Sequence, residues 1–157
     1  MPQVPRTPTT PGQASPERVV LIANSQEWAS RSLESVLGPA GYTVVKAFNP
    51  RDTMRAVHER RIDAVIVDAS LGDEEMLALC RELRADPQVR DSTAILVTTA
   101  GPLTRPQALA VLRAGGSGAW SEPLDPEEFL LRLDGYVRAK LDADRGVSAG
   151  KSAPPRA

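Results

Sequence analysis

Asp68 stands directly after four apolar residues, Ala64-Val65-Ile66-Val67, and is the first place to look for chemistry. A carboxylate there is either exposed at the end of a strand or costly to bury. Its bland role is to cap a turn or accept backbone hydrogen bonds. Its reactive role is as an acceptor in a crevice. Asn24, Ser25 and Thr99 close two other apolar runs and join it as site candidates. Asp73, Glu74 and Glu75 fall in the next loop or first helical turn, where acidic residues suit a helix N-terminus without any site role. His58 is the single histidine and has no second member of a phosphotransfer constellation, so it reads as a surface or partly buried side chain. Cys80 is the single cysteine; it lies on an apolar helical stripe and reads as a small core residue. No GxxxxGK, GxGxxG or nucleophile elbow is present, which leaves nucleotide-binding and hydrolase readings without support.

Alternating strands and helices must position these residues. Arg18–Ala23 is the first strand, apolar without a break from Val19 to Ala23, the mark of a strand buried on both faces. Asn24 or Ser25 can cap the helix that follows, with Ala29, Leu33, Val36 and Leu37 on one side. Residues 42–47 form a second strand, and Asn49-Pro50 opens a second helix bearing Met54, Val57 and His58. The third strand, 62–68, leads to a helix with Met76, Leu79, Cys80 and Leu83 on one face, broken at Asp86-Pro87. Residues 93–99 form the fourth strand. A short helix from Pro106 with Leu109 and Leu112 follows, then a weak fifth strand, 118–121. Asp125-Pro126-Glu127-Glu128 starts a last helix carrying Leu130, Leu133, Val137 and Leu141.

Five strand–helix pairs with helical crossovers imply an α/β fold, one doubly wound five-stranded parallel sheet. In the flavodoxin-like order 2-1-3-4-5 the ligand crevice opens at the carboxyl ends of strands 1 and 3, at Asn24-Ser25 and Asp68. The 157 residues suit one domain, expected over 18–142. Residues 1–17, with five prolines, and residues 143–157 have little to bury and are expected to be disordered tails. A formal charge of -1 gives no long-range pull towards nucleic acid. Neither a signal peptide nor 18 consecutive apolar residues occurs, so no membrane partner and a cytoplasmic location are expected.

The segments 63–68, 79–87 and 95–100, then Leu112-Arg113-Ala114-Gly115-Gly116 and Glu122-Pro123, resemble the response-regulator receiver family over roughly residues 18–142. The resemblance implies that Asp68 is the possible phosphoacceptor, taking a phosphoryl group from a histidine kinase. It implies a magnesium cradle at Asn24, Ser25 and the carbonyl of Ser70, and a phosphoryl-contacting hydroxyl at Thr99. It also implies a Lys before the Pro, where this chain has Glu122. The family's aromatic switch position matches Ala119, and the neighbouring Trp120 supplies an aromatic ring.

These departures define a degenerate receiver. Magnesium prefers several oxygen ligands carrying negative charge, and only Asp68 of the cradle is a carboxylate. Glu122 puts a negative charge where a positive one should meet the phosphoryl group. The expected function is a signalling and protein-interaction module working without phosphorylation, not an enzyme, with no firm cofactor. Its expected partner is a signalling protein or a second copy, through the face made by the fourth helix, fifth strand and fifth helix. The alternative is a phosphoacceptor with atypical metal chemistry. The Glu122-Pro123 bond is expected to be cis.

Overall fold

A computed structural model describes residues 17–145, with side chains as far as Ala139. Its elements are β1 (Arg18–Ala23), α1 (Glu27–Leu37), β2 (Tyr42–Ala47), α2 (Pro50–Glu59), β3 (Ala64–Asp68) and a 3-10 turn (Ala69–Leu71). There follow α3 (Asp73–Ala85), β4 (Ala94–Thr99), α4 (Arg105–Arg113), β5 (Gly118–Ser121) and α5 (Pro126–Arg145). The sheet is parallel throughout in the order β2-β1-β3-β4-β5, as the alternating pattern predicts.

Burial on both faces explains the unbroken apolar runs of β1, β3 and β4. Side chains alternate across the sheet, so Leu21, Val65, Ile95 and Val97 pack against Val57 of α2, Leu79 and Leu83 of α3, and Val111 of α4. Val20, Ile22, Ile66 and Leu96 face the other way, onto Leu37 of α1 and Phe129, Leu133 and Val137 of α5. Helices α1 and α5 therefore cover one face, and α2, α3 and α4 the other.

The α3 stripe of Met76, Leu79, Cys80 and Leu83 is buried as expected, and the helix ends before Asp86-Pro87. Asn49 caps α2 by accepting the Asp52 N–H, with Pro50 in its first turn. Asp125 accepts the Glu127 N–H at 3.2 Å before α5.

Several local expectations need correcting. The N-cap of α1 is Gln26, without a side-chain cap bond of its own; Asn24 and Ser25 lie before the helix, and Asn24 Oδ1 accepts the Gln26 N–H. Helix α4 begins at Arg105, capped by a reciprocal Thr104–Gln107 box. Leu109 and Leu112 of α4 are 43% and 55% exposed, because Val111 and Ala114 are the residues that reach the core. Helix α5 runs to Arg145, three residues beyond the expected boundary at 142. Residues 1–16 and 146–157 of the expected tails lie outside the described residues, as does the side chain of Leu141.

Candidate functional site

Parallel pairing carries β1, β3 and β4 to one edge of the sheet, where their last residues meet. Asp68 is 8% exposed there. Its Oδ2 accepts the Ser70 N–H at 2.8 Å, so the carboxylate caps the following 3-10 turn. Its Oδ1 accepts the Thr98 hydroxyl at 2.5 Å. Both carboxylate oxygens are therefore held by neutral donors. The expected turn-capping role of Asp68 is present.

Asn24, Ser25 and Ser70 come together as a closed hydrogen-bonded set. The Ser25 hydroxyl donates to the Ser70 carbonyl at 3.1 Å, and the Ser25 N–H donates to Ser70 Oγ at 3.1 Å. The Ser70 hydroxyl donates in turn to Asn24 Oδ1 at 3.0 Å. Asn24, 2% exposed, also accepts the Gln26 N–H on the same oxygen at 2.8 Å. The β1–α1 and β3–α3 loops are thus tied together through small uncharged groups.

Thr99 lines an open cavity of about 410 Å³ with Asp68, Ser70, Asp73, Gln107 and Glu122. Its hydroxyl donates to the Gly101 carbonyl at 2.7 Å rather than to Asp68. Glu122 lines this crevice, its N–H donating to the Thr99 carbonyl at 2.7 Å, and the Glu122-Pro123 bond is cis, as expected. Partial burial, and secondarily the Asp68 carboxylate, push the Glu122 pKa above the ordinary glutamate value. Among the described residues, the pocket lining holds no cationic side chain to offset that repulsion.

Trp120 and Ala119 point to opposite faces of β5. Ala119 packs against the α2–α4 side and Trp120 against α5. The indole meets Phe129 and Tyr136 edge-on, with centroids 5.3 and 6.1 Å away, and the Arg132 guanidinium lies 5.9 Å from its ring. Trp120 pairs with Thr98, which pairs with Asp68, so its ring leaves the same face of the sheet as Asp68, two strands away, and packs on α5 outside the cavity lining.

Thr98 is the residue that the sequence reading misses. It is 1% exposed and stands opposite Asp68 in the β3–β4 register, so both side chains leave the same face. The signal was present as a threonine in place of the next apolar residue of the fourth strand. Only the register shows which of Thr98 and Thr99 meets Asp68.

The donor set does not fit magnesium. A hard divalent cation needs several free oxygens with negative charge. Here Asp68 is the one carboxylate among the matched positions; the Ser70 carbonyl, which accepts the Ser25 hydroxyl, and Asn24 Oδ1, which already accepts two bonds, are neutral. Among the described residues, no group of three or more His, Cys, Asp or Glu side chains is placed to share a metal. Nor is any helix among them long and apolar enough to cross a membrane.

This arrangement of strand ends is found in known proteins. The sequence profile of the response regulator receiver domain matches residues 20–134, and the chain belongs to that family. The response regulator MprA of Mycolicibacterium vanbaalenii is 30% identical over 134 residues, covering 85% of this chain and 55% of that protein. The transcriptional regulatory protein GltR of Pseudomonas aeruginosa is 25% identical over 121 residues, covering 77% and 49%. The chain therefore spans about half the length of these relatives. A two-component response regulator from Clostridium difficile superposes with a TM-score of 0.70 at 20% identity, covering 78% of this chain and 97% of that one. The signal receiver domain of an HD domain-containing protein from Pseudomonas fluorescens superposes with a TM-score of 0.72 at 23% identity, covering 81% and 99%. At such identities the two structures speak for the fold alone. The chain is a response-regulator receiver domain of two-component signalling, a class of signalling modules that act through other signalling proteins.

Proposed function

We propose that this receiver works as a protein-interaction module in the cytoplasm whose output does not require phosphorylation of Asp68. The observation that carries the reading is the closed set formed by Asn24, Ser25 and Ser70. Those positions would have to offer oxygens to a cation, and instead they satisfy one another. Glu122 adds a second obstacle, because a carboxylate beside Asp68 opposes the charge that a phosphoryl group brings. Contact with a signalling protein, or with a second copy, is assigned to the face of α4, β5 and α5. Leu112 of α4 and Leu131 of α5 are 55% and 76% exposed there, and apolar side chains of this kind form the desolvated centre of an interface. Trp120 supports that face from beneath through Phe129 and Tyr136.

A second reading is favoured by one feature. Asp68 keeps its place at the end of β3 and opens, with Thr99, onto a cavity large enough for a phosphoryl group. In that reading a histidine kinase is the donor partner and Asp68 the acceptor. The two are separated by incubating the protein with acetyl phosphate or phosphoramidate in magnesium and measuring intact mass for wild type and D68N. The interaction-module reading expects no phosphoryl adduct and a partner affinity unchanged by D68N. A stoichiometric adduct that is lost in D68N and shifts partner affinity overturns it.

A further inference from the structure

Residues 2–11 carry proline at every third position: Pro2, Pro5, Pro8 and Pro11. A polyproline II helix has three residues per turn, so prolines at this spacing fall on one face, about 9 Å apart. The stripe lies outside the described residues, and phosphoryl chemistry at Asp68 has no use for it. Within the folded domain, a groove of about 220 Å³ runs between α1 and the segment leading from β5 into α5. We propose that this groove is a docking site for a proline stripe in polyproline II form, and that its occupant is the chain's own segment 2–11.

Trp28, Leu33 and Val36 of α1 line one wall, Pro123 and Pro126 the other, and Phe129, 2% exposed, the floor. Trp28 is 67% exposed, an indole left on the rim of an otherwise apolar cleft. Proline-rich segments dock on aromatic-lined grooves because their backbone is already extended and little conformational freedom is lost on binding. Their carbonyls make no internal hydrogen bonds and stay free to accept from a donor such as the Trp28 indole N–H. The lengths agree as well. From Trp28 to Val36 the helix rises about 12 Å, a little over one turn of polyproline II, so two neighbouring prolines of the stripe fit against it together.

Charge and reach select the chain's own segment. Among the described residues, Glu122 is the charged side chain in the lining, and exposed Glu27 and Asp125 adjoin lining residues in the chain. Residues 2–16 contain a single charged side chain, Arg6, between Pro5 and Pro8. A cationic stripe thus meets an acidic rim, where one bearing carboxylates would be repelled. Helix α1 returns the chain towards the start of the parallel strands, so the Val36 end of the groove lies nearest Glu17, where the described chain begins. Residues 12–16 span up to about 17 Å when extended, enough to bring Pro11 to that end. A segment with too little apolar surface for a core of its own still orders when it binds. On so short a tether its effective concentration at the groove is about millimolar, so a weak contact suffices.

The test uses the full chain, followed by NMR. Backbone order parameters of the non-proline residues between 3 and 10 are expected above about 0.6 in the wild type and below it in W28A and in P2A/P5A/P8A/P11A. Melting temperature and undisturbed shifts of α3 check that both variants fold. Dilution should leave the wild-type values unchanged, as an intrachain contact requires. A synthetic peptide of residues 1–16 should bind the P2A/P5A/P8A/P11A chain saturably, shifting the Trp28 indole N–H and residues 28–36 and 122–129. It should bind the wild type at least about threefold more weakly, because the attached segment competes. A peptide of the same composition with its prolines off the three-residue spacing should bind the variant at least about tenfold more weakly than the native one. Low order in the wild type, order unchanged in folded W28A, no saturable peptide binding, shifts centred elsewhere or equal binding of the two peptides would each overturn the proposal. Order lost on dilution would put the segment on a second copy and overturn it too.

Discussion

Two aspartates bracket β3, and the chain treats them differently. Asp63, just before the strand, is buried against two arginines and a backbone N–H. Asp68, at the strand's end, is nearly as buried but is held by a threonine hydroxyl and a backbone N–H, with a glutamate in the same pocket. A buried carboxylate costs little only when charge or enough hydrogen bonds replace its water. The first site uses charge and the second uses hydrogen bonds. The amino end of β3 is therefore an electrostatic joint between segments, while the carboxyl end is a neutral clasp around one carboxylate.

The strongest way to break the contrast is to convert the neutral end into a charged one. N24D/S25D/E122K replaces two uncharged groups with carboxylates and the glutamate with an ammonium. Magnesium affinity should rise about a hundredfold, close to 2.7 kcal/mol, because the cation would gain two anionic ligands. Amide shifts on magnesium titration measure it. Acetyl phosphate should then give a phosphoryl adduct that D68N abolishes. If wild type and the triple variant bind magnesium equally, the hydrogen-bonded set is not what blocks the cation.

A smaller effect compares the two aspartates directly. D63N leaves Arg61 and Arg90 facing a neutral amide and should cost about 2 kcal/mol in urea unfolding. That falls below the figure for a fully buried pair because both guanidiniums reach solvent. D68N keeps the volume and relieves repulsion with Glu122, so its cost should stay under about 1 kcal/mol. Equal costs would show that the two carboxylates are anchored alike. T98V removes the hydroxyl from Asp68 at nearly constant volume and should cost about 1 kcal/mol. Its effect should shrink in the D68N background, since both changes strike one hydrogen bond.

Much of this was legible in the residues, and the reasons for what was not are physical. Unbroken runs such as Val65-Ile66-Val67 announce a doubly covered parallel strand, which with the crossover rule gives the strand order and hence the crevice. The stripe from Met76 to Leu83 gives α3 its inner face. Partners across the sheet are harder, because register is a tertiary property. Thr98 and Thr99 are adjacent in the chain, and only the pairing of Asp68 with Thr98 shows which one contacts the carboxylate. The clasp of His58 on Asp86 spans 28 residues and leaves no mark in local pattern. Leu109 and Leu112 have helical spacing but lie on the outer side of α4, since a short helix resting on a sheet edge buries only a narrow stripe. Asn24 and Ser25 have the chemistry of caps. The Ser25 N–H and hydroxyl are instead drawn to Ser70, and Asn24 Oδ1 is shared between the Ser70 hydroxyl and the Gln26 N–H.

The smallest expected effect concerns Glu122, and its sign can be worked out. Burial first, and Asp68 second, raise the pKa of this carboxyl in the folded chain. A carboxyl with a raised folded pKa binds its proton more tightly in the native state than in the unfolded one. Its contribution favours the folded state most below the unfolded glutamate value of about 4.3 and is lost as pH rises through the folded value. At neutral pH the ionised group is therefore mildly unfavourable. Because Glu122 is largely exposed, solvent screening keeps the change small, within about 0.5 kcal/mol. E122Q, which cannot ionise, should be slightly more stable than wild type at pH 7. The gap should close as the pH falls towards 4, where wild-type Glu122 takes up its proton. Urea midpoints for the two proteins between pH 4 and 7 give the measurement. A gap that stays constant over that range would mean that the gain comes from packing of the amide, and that Glu122 and Asp68 do not sense each other across the crevice.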